Sequence, residues 1–265
     1  MFTIQKLAQP QSVDEAYQLL TAHRNNAVLG GCAFMRLGAQ RIGTAIDLSH
    51  CQLSYIEESD TEISIGATAT LRDVELSVPL RTHGNGIVPA AVSNIIGVQL
   101  RNVATVGASV FSKYGFSDLI PSLLALDTDV QLYMSGRLPL AAFLRNPYQK
   151  DILTKVIVKK NARQASYHQF RKSHSDFPLL NAAVSKLDNS WRIVVGARPG
   201  RARFARRAAE FLSAGDLSEE RIIATSQMVA DELPFETNTR ASASYRKILC
   251  QALVQRGIRE VLSCK

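Results

Sequence analysis

Four cysteines, Cys32, Cys51, Cys250 and Cys264, are scattered along 265 residues without a C-x-x-C pair. Neighbouring thiolates therefore build neither a zinc site nor an iron–sulfur cluster, and any metal centre is expected on a partner. The histidines His23, His50, His83, His168 and His174 lack the H-x-x-x-H spacing that puts two imidazoles on one helix face. No local Ser/His/Asp arrangement stands out either, so no residue is assigned a catalytic role. No uncharged apolar run reaches the ~18 residues of a membrane helix, and Met1–Lys6 is not the apolar core of a signal peptide, which makes a cytoplasmic protein the expectation. Neither a G-x-G-x-x-G fingerprint nor a Walker loop occurs, and there is no internal repeat or low-complexity tract.

What is present fits a folded chain of one large or two modest domains, with 46% hydrophobic and 20% charged residues. The net charge of +8 is uneven: residues 1–160 hold 14 Lys+Arg against 13 Asp+Glu, and residues 161–265 hold 17 against 10. A basic second part suits an acidic protein surface or nucleic acid. The arginines from Arg198 to Arg207 are not interleaved with aromatic residues that would stack on bases, so the nucleic-acid signature is incomplete.

Along the chain, Ser12 followed by Glu15 reads as a capping box opening a helix through Val13, Ala16, Leu19 and Leu20. The strand Ala27-Val28-Leu29 runs into Gly30-Gly31, and Thr44–Leu48 is the next strand. Ile63–Ala67 alternates as a strand, helical segments follow around Leu71–Leu76 and Pro89–Ile96, and Gly97–Ser117 reads as a loop. Asp118 to Leu126 is a short helix, for which Asp118 is the expected cap. Strands Val130–Met134 and Ile152–Val158 complete this region. Past the polar stretch Lys159–Arg163, three strands (Tyr167–Lys172, Leu179–Leu187, Trp191–Gly196) precede helices, the strongest from Ser242 to Leu262. The class is α+β.

Two loops carry chemistry. In Val28-Leu29-Gly30-Gly31-Cys32-Ala33-Phe34, glycines directly after a strand let backbone N–H groups converge on an anion with no Cβ in the way. Alone, such a Gly-Gly is also a plain turn. In Arg101-Asn102-Val103-Ala104-Thr105-Val106-Gly107-Ala108-Ser109, small residues permit close backbone approach, and Thr105, Ser109 and Ser112 offer hydroxyls.

These loops, in this order and separation, resemble the two FAD loops of the flavoprotein subunits of the molybdenum hydroxylases, the family of xanthine dehydrogenase and aerobic carbon monoxide dehydrogenase. The first resembles that family's Gly-Gly-Thr loop, the second its R-N-x-A-T-I-G-G-N loop, and Ser117-Asp118-Leu119 and Pro121–Asp127 follow at the family's spacing. Arg198-Pro199 and Arg240–Arg246 look like landmarks of its C-terminal domain.

The resemblance implies a two-lobed FAD-binding domain at 1–160, with lobes at about 1–55 and 56–160, then a C-terminal domain of antiparallel sheet plus helices at 161–265. It places Val28, Leu29, Gly30, Gly31, Cys32, Ala33 and Phe34 around the FAD pyrophosphate and adenosine side, and Ile95, Ile96 and Leu100 on its apolar flank. Ala104, Thr105, Gly107, Ala108, Ser109, Phe111 and Ser112 form the second phosphate and ribityl wall. Ser117 and Asp118 bond adenosine or ribityl hydroxyls, Ile152 and Leu153 cover the ring system, and Tyr114 is a candidate to lie over it. The chain would then be an oxidoreductase subunit that takes electrons from [2Fe–2S] clusters on an iron–sulfur subunit, beside a molybdopterin-carrying molybdenum subunit, and hands them to an acceptor such as NAD. Purines such as xanthine are the family's first substrate class. Arg198 to Arg207 would face an acidic partner subunit. Cys32 stands for Thr, Ala108 for Gly and Ser109 for Asn, while His168 falls near a Lys of some members. A flavin-free scaffold subunit and a basic nucleic-acid-binding module are the alternative readings.

Overall fold

The computed structural model of the chain describes residues 2–263; Cys264 lies outside them. In chain order the strands are β1 (Thr3–Ala8), β2 (Ala27–Val28), β3 (Arg41–Ile46), β4 (Ile56–Glu58), β5 (Glu62–Gly66), β6 (Thr128–Leu132), β7 (Gly136–Pro139), β8 (Leu153–Lys159), β9 (Gln164–Phe170), β10 (Leu180–Leu187), β11 (Ser190–Gly196) and β12 (Arg203–Phe204). The helices are α1 (Val13–Ala22), α2 (Leu71–Leu76), α3 (Val78–Thr82), α4 (Ile87–Ser93), α5 (Gly97–Arg101), α6 (Val106–Phe111), α7 (Leu119–Ala125), α8 (Leu140–Arg145), α9 (Arg206–Ser213), α10 (Glu219–Glu232) and α11 (Ala243–Ser263). Among the described residues no helix is long and apolar enough to cross a membrane.

Two compact units result, and neither is continuous in sequence. One runs from the N-terminal strand to Val74 and adds Gly97–Ser112 and Thr128–Lys159. The other comprises Glu75–Ile96, Lys113–Asp127 and the chain from Lys160 onward.

The first unit holds two sheets. A parallel sheet, ordered β1-β3-β2, packs Ile42, Ala45 and Ile46 with Ala16 and Leu20 of α1 in its core. Ser12 caps α1 by accepting the Glu15 amide at 3.2 Å, and the Glu15 carboxylate accepts the amide of Gln11 at 2.9 Å, one residue earlier than a standard capping box. The second sheet is antiparallel, ordered β4-β5-β8-β6-β7. Alternation in Glu62–Gly66 buries Ile63 and Ile65 there.

The second unit is built on the antiparallel sheet β12-β11-β10-β9. On one face Leu180, Ala182 and Val184 of β10 and Trp191, Ile193 and Val195 of β11 meet Ala208, Leu212, Val229, Leu253, Val254 and Ile258 of α9, α10 and α11. On the other face α7 lies on β10 and β11, and α4 on β9. Cover on both faces explains why β10 is buried from Leu180 through Ser185 regardless of side-chain parity, with Asn181 and Ser185 at 0% exposure.

The segment Gly97–Ser117 is not the loop its composition suggests. It contains α5 and α6. Thr105 is extended, and its Oγ1 accepts the Ala108 amide at 3.3 Å, an N-cap that starts α6. Val106 and Val110 bury at helical spacing, while the small residues between them hide that periodicity from a sequence reading. Asp118 does not cap α7 either: the Ser117 Oγ accepts the Ile120 amide at 3.1 Å, which leaves the Asp118 carboxylate for other partners.

Candidate functional site

The strand β2 ends at Val28, and Leu29 still donates its amide to Ile46 at 2.8 Å before the chain turns. Gly31 and Cys32 then both take the left-handed conformation, at φ 76° and 55°. Gly31 adopts it without steric cost, whereas Cys32 adopts it as an L side chain. Among the described residues no protein acceptor takes the amides of Gly30, Gly31, Cys32 or Ala33. The turn therefore presents successive N–H groups on a partly exposed surface, the arrangement that accepts anionic oxygens.

The second loop lies directly against this turn. A Cβ on Gly30 would stand 2.3 Å from the Ala108 Cβ and 2.9 Å from Thr105 Oγ1, and one on Gly31 would stand 2.1 Å from the Val103 carbonyl oxygen. Glycine is thus required at both positions by contact between the loops, a reason the sequence alone did not supply. Ala108, in place of the family's glycine, fills the volume that Gly30 leaves open. α6 is seated by the amides of Val106 and Gly107, which donate to Ala69 and Ala67 at 2.9 and 2.8 Å. The Ser109 hydroxyl donates to the Thr105 carbonyl at 2.7 Å, so Thr105 and Ser109 are held as a pair. Ser112, at the C-terminal end of α6, is exposed.

Phe111 is flanked by Phe143, with ring centroids 5.8 Å apart, and by Tyr148 at 5.5 Å in an edge-on arrangement. This aromatic group was not visible in sequence, because Phe143 and Tyr148 belong to segments with no motif. Ala104 and Leu100 are half-buried on the same loop, whereas Ile152 and Leu153, at 2% and 4% exposure, sit inside the first unit's core. Ile152 accepts the Tyr133 amide at 2.8 Å.

The remaining candidates belong to the second unit. Ile95 is half-buried, and Ile96 is exposed. Tyr114 stacks on Phe116, with centroids 4.9 Å apart and planes 14° from parallel, and Phe116 meets Phe177 at 4.7 Å. Asp118 is buried and accepts from Tyr167 Oη at 2.5 Å, with Arg171 Nη2 at 2.8 Å from the same carboxylate. Burial pushes its carboxyl upward, opposed by the Arg171 charge and the Tyr167 hydrogen bond. Burial, then the Asp118 charge, raises the Tyr167 phenol well above its ordinary value. Asn181 donates to the Ser117 carbonyl at 3.0 Å. Tyr167 and Gln169 share one face of β9, with Arg171 just past its end and Asn181 opposite Gln169 on β10, so Ser117 and Asp118 are held by residues from 49 to 64 positions away in the chain. An i, i+2 polar pattern in β9 was the available signal for this group. His168 points to the opposite face, its Nε2 2.9 Å from the Glu260 carboxylate.

At the other end of α7, Asp127 accepts from Arg192 at 2.5 Å, Asn161 at 2.6 Å and Arg163 at 3.3 Å. Aspartates at both ends thus clamp α7 to the sheet.

Residues 2–160 match the FAD binding domain in molybdopterin dehydrogenase. The chain belongs to this family. Residues 165–261 match the C-terminal domain of the CO dehydrogenase flavoprotein. The medium subunit of nicotine 6-hydroxylase from Paenarthrobacter nicotinovorans is 28% identical, over 96% of each chain. The FAD-subunit of nicotinate dehydrogenase from Eubacterium barkeri is 23% identical, over 96% of this chain and 94% of its own. Among solved structures, the carbon monoxide dehydrogenase of Hydrogenophaga pseudoflava superposes with a TM-score of 0.88 over 97% of each chain at 20% identity, a likeness of fold.

The residues present fit the flavin of this FAD-binding flavoprotein family. The glycine turn offers unpaired amides on a surface free of carboxylate side chains between Leu29 and Met35, and a Cβ at either glycine would displace the second loop. Those amides suit a pyrophosphate, and the half-buried Leu100 and Phe111 suit an apolar ring system.

Proposed function

We propose that this chain is the FAD-carrying electron-transfer subunit of a heteromeric molybdenum hydroxylase or dehydrogenase in the cytoplasm. It receives electrons from [2Fe–2S] clusters on an iron–sulfur subunit, beside a molybdenum subunit, and delivers them to an acceptor such as NAD. The relatives named for nicotine and nicotinate favour a nitrogen heterocycle as the substrate of the complex, bound outside this chain. In this reading residues 1–160 form the FAD domain and 161–265 the C-terminal domain.

Bound FAD supplies the redox chemistry, and the protein contributes binding and orientation. The amides of Gly30 to Ala33 hold the pyrophosphate, with Val28, Leu29 and Phe34 shaping the turn. Ala104, Thr105, Gly107, Ala108, Ser109 and Ser112 make the wall that keeps this turn in place. Leu100 and Phe111 exclude water from the cofactor's apolar flank. Within the second unit, Asp118 fixes Ser117 and the start of α7 through Arg171 and Tyr167. Ile152 and Leu153 back the site from the core.

The observation that carries this reading is the paired-loop geometry at Gly30, Gly31 and Ala108. The test is the spectrum of the purified chain: flavin absorbance near ~450 nm, and FAD released by acid in about one equivalent, are the expected results. A colourless chain that assembles with its partners would establish the flavin-free scaffold instead.

A further inference from the structure

The run Arg198–Arg207 does not form one exposed face. Arg198 is 3% exposed and donates to the carbonyls of Pro234 and of Arg201, so it is part of the loop's interior. Arg201, Arg203, Arg206 and Arg207 are exposed. Arg203 lies on the edge strand β12, and Arg206 and Arg207 open the first turn of α9.

Three features set this strip apart from an ordinary solvated surface. Among the described residues Arg203, Arg206 and Arg207 form no ion pair, although other exposed arginines, such as Arg137 and Arg259, do. Their position is electrostatically unfavourable within the chain, since cations at a helix N-terminus oppose the macrodipole. The free amides of that terminus are already served by Glu232, whose carboxylate accepts from Arg207 N at 3.2 Å and from Ala208 N at 3.0 Å. Guanidinium groups rather than backbone N–H groups are therefore what this surface offers. Nearby, Arg198 is pushed down to about 10 by burial, with the Arg203 charge adding to the effect.

We propose that the strip Arg203, Arg206 and Arg207 is the docking surface for an acidic, Asp/Glu-rich segment of a partner subunit. The proposal rests on the reading of the chain as one subunit of a complex. Carboxylates match the planar guanidinium fork in pairs, and a partner would supply the counter-charge that the chain itself withholds. A polypeptide is favoured over nucleic acid because the aromatic side chain in the strip, Phe204, lies under Arg206 at 5.9 Å and is engaged there instead of standing free to stack on bases.

The experiment isolates the tagged chain with its co-purifying subunits from the source cells, comparing wild type, Arg203→Glu/Arg207→Glu and Arg203→Gln/Arg206→Gln/Arg207→Gln. It reads iron–sulfur subunit per chain by native mass spectrometry, and flavin per chain and melting temperature separately. Charge reversal is expected to lower the subunit ratio about tenfold at unchanged melting temperature, the neutral variant by less, and salt above about 0.5 M should weaken the wild-type complex. An unchanged ratio in the reversed variant overturns the proposal. A colourless chain that keeps an arginine-dependent partner would sink the flavin reading alone, whereas a yellow chain whose assembly ignores these arginines would sink the docking surface alone.

Discussion

Replacing Gly30 with alanine tests the paired-loop geometry directly. The added Cβ would lie 2.3 Å from the Ala108 Cβ and 2.9 Å from Thr105 Oγ1, where carbon–carbon contacts settle at about 3.5–4.0 Å, so the loops must part by over about 1 Å. Overpacking of this kind costs about 1–3 kcal/mol, and the upper half applies because Ala108 sits on the short helix α6, itself pinned to Ala67 and Ala69. At about 2–4 °C per kcal/mol for a chain of this size, the melting temperature should fall by about 4–12 °C. The distinguishing measurement is the double variant Gly30→Ala/Ala108→Gly. Removing the Ala108 Cβ leaves its Cα at 3.4 Å, an ordinary contact, while Thr105 Oγ1 stays at 2.9 Å, so part of the loss should return and the two substitutions should couple. Thermal melts and flavin content of the four proteins decide the matter. A Gly30→Ala protein that melts with wild type, or a double variant no better than the single one, would refute the contact. Gly31→Ala admits no such rescue, because its φ of 76° and the Val103 carbonyl at 2.1 Å oppose a side chain independently.

Two further outcomes follow from buried groups. Arg171→Met should cost about 3–5 kcal/mol by leaving Asp118 charged and buried without its cation, and Asp118→Asn added to it should restore part of that stability. Because burial raises the Asp118 carboxyl, its neutral form is favoured in the fold. That stabilisation is present at acid pH and fades as pH rises through the raised value, so Arg171→Met should suffer more at pH 7 than near pH 4; equal losses at both would count against the pair. In a Cys264→Ser background, iodoacetamide should modify half-buried Cys32 before Cys51 and Cys250, since burial raises the Cys51 thiol and pushes that of Cys250 up to about 12. Added FAD should slow the Cys32 reaction, and labelling of Cys250 at the Cys32 rate would contradict the assigned burial.

The sequence by itself determined what is local. Alternation in Ile63–Ala67, the Ser12 cap and the Gly30-Gly31 turn all act through neighbours in the chain, and the loop motifs sufficed to indicate the family. Elsewhere the local pattern is weak or ambiguous. Small residues disguised α6, and Asp118 looked like a cap because an acid before a helix usually is one. Only tertiary structure decided that Ser117 takes the cap while Asp118 meets Tyr167 and Arg171, that Arg198 leaves the basic surface, and that helices from before residue 128 cover the second face of the C-terminal sheet. The glycine loop shows the same division. Sequence marked Gly30 and Gly31 as the place where backbone must come close, but the nearest atoms that forbid a side chain belong to Val103, Thr105 and Ala108, brought there by packing over some 75 residues. Such contacts depend on steric exclusion between distant segments, which leaves no periodicity for a sequence to display.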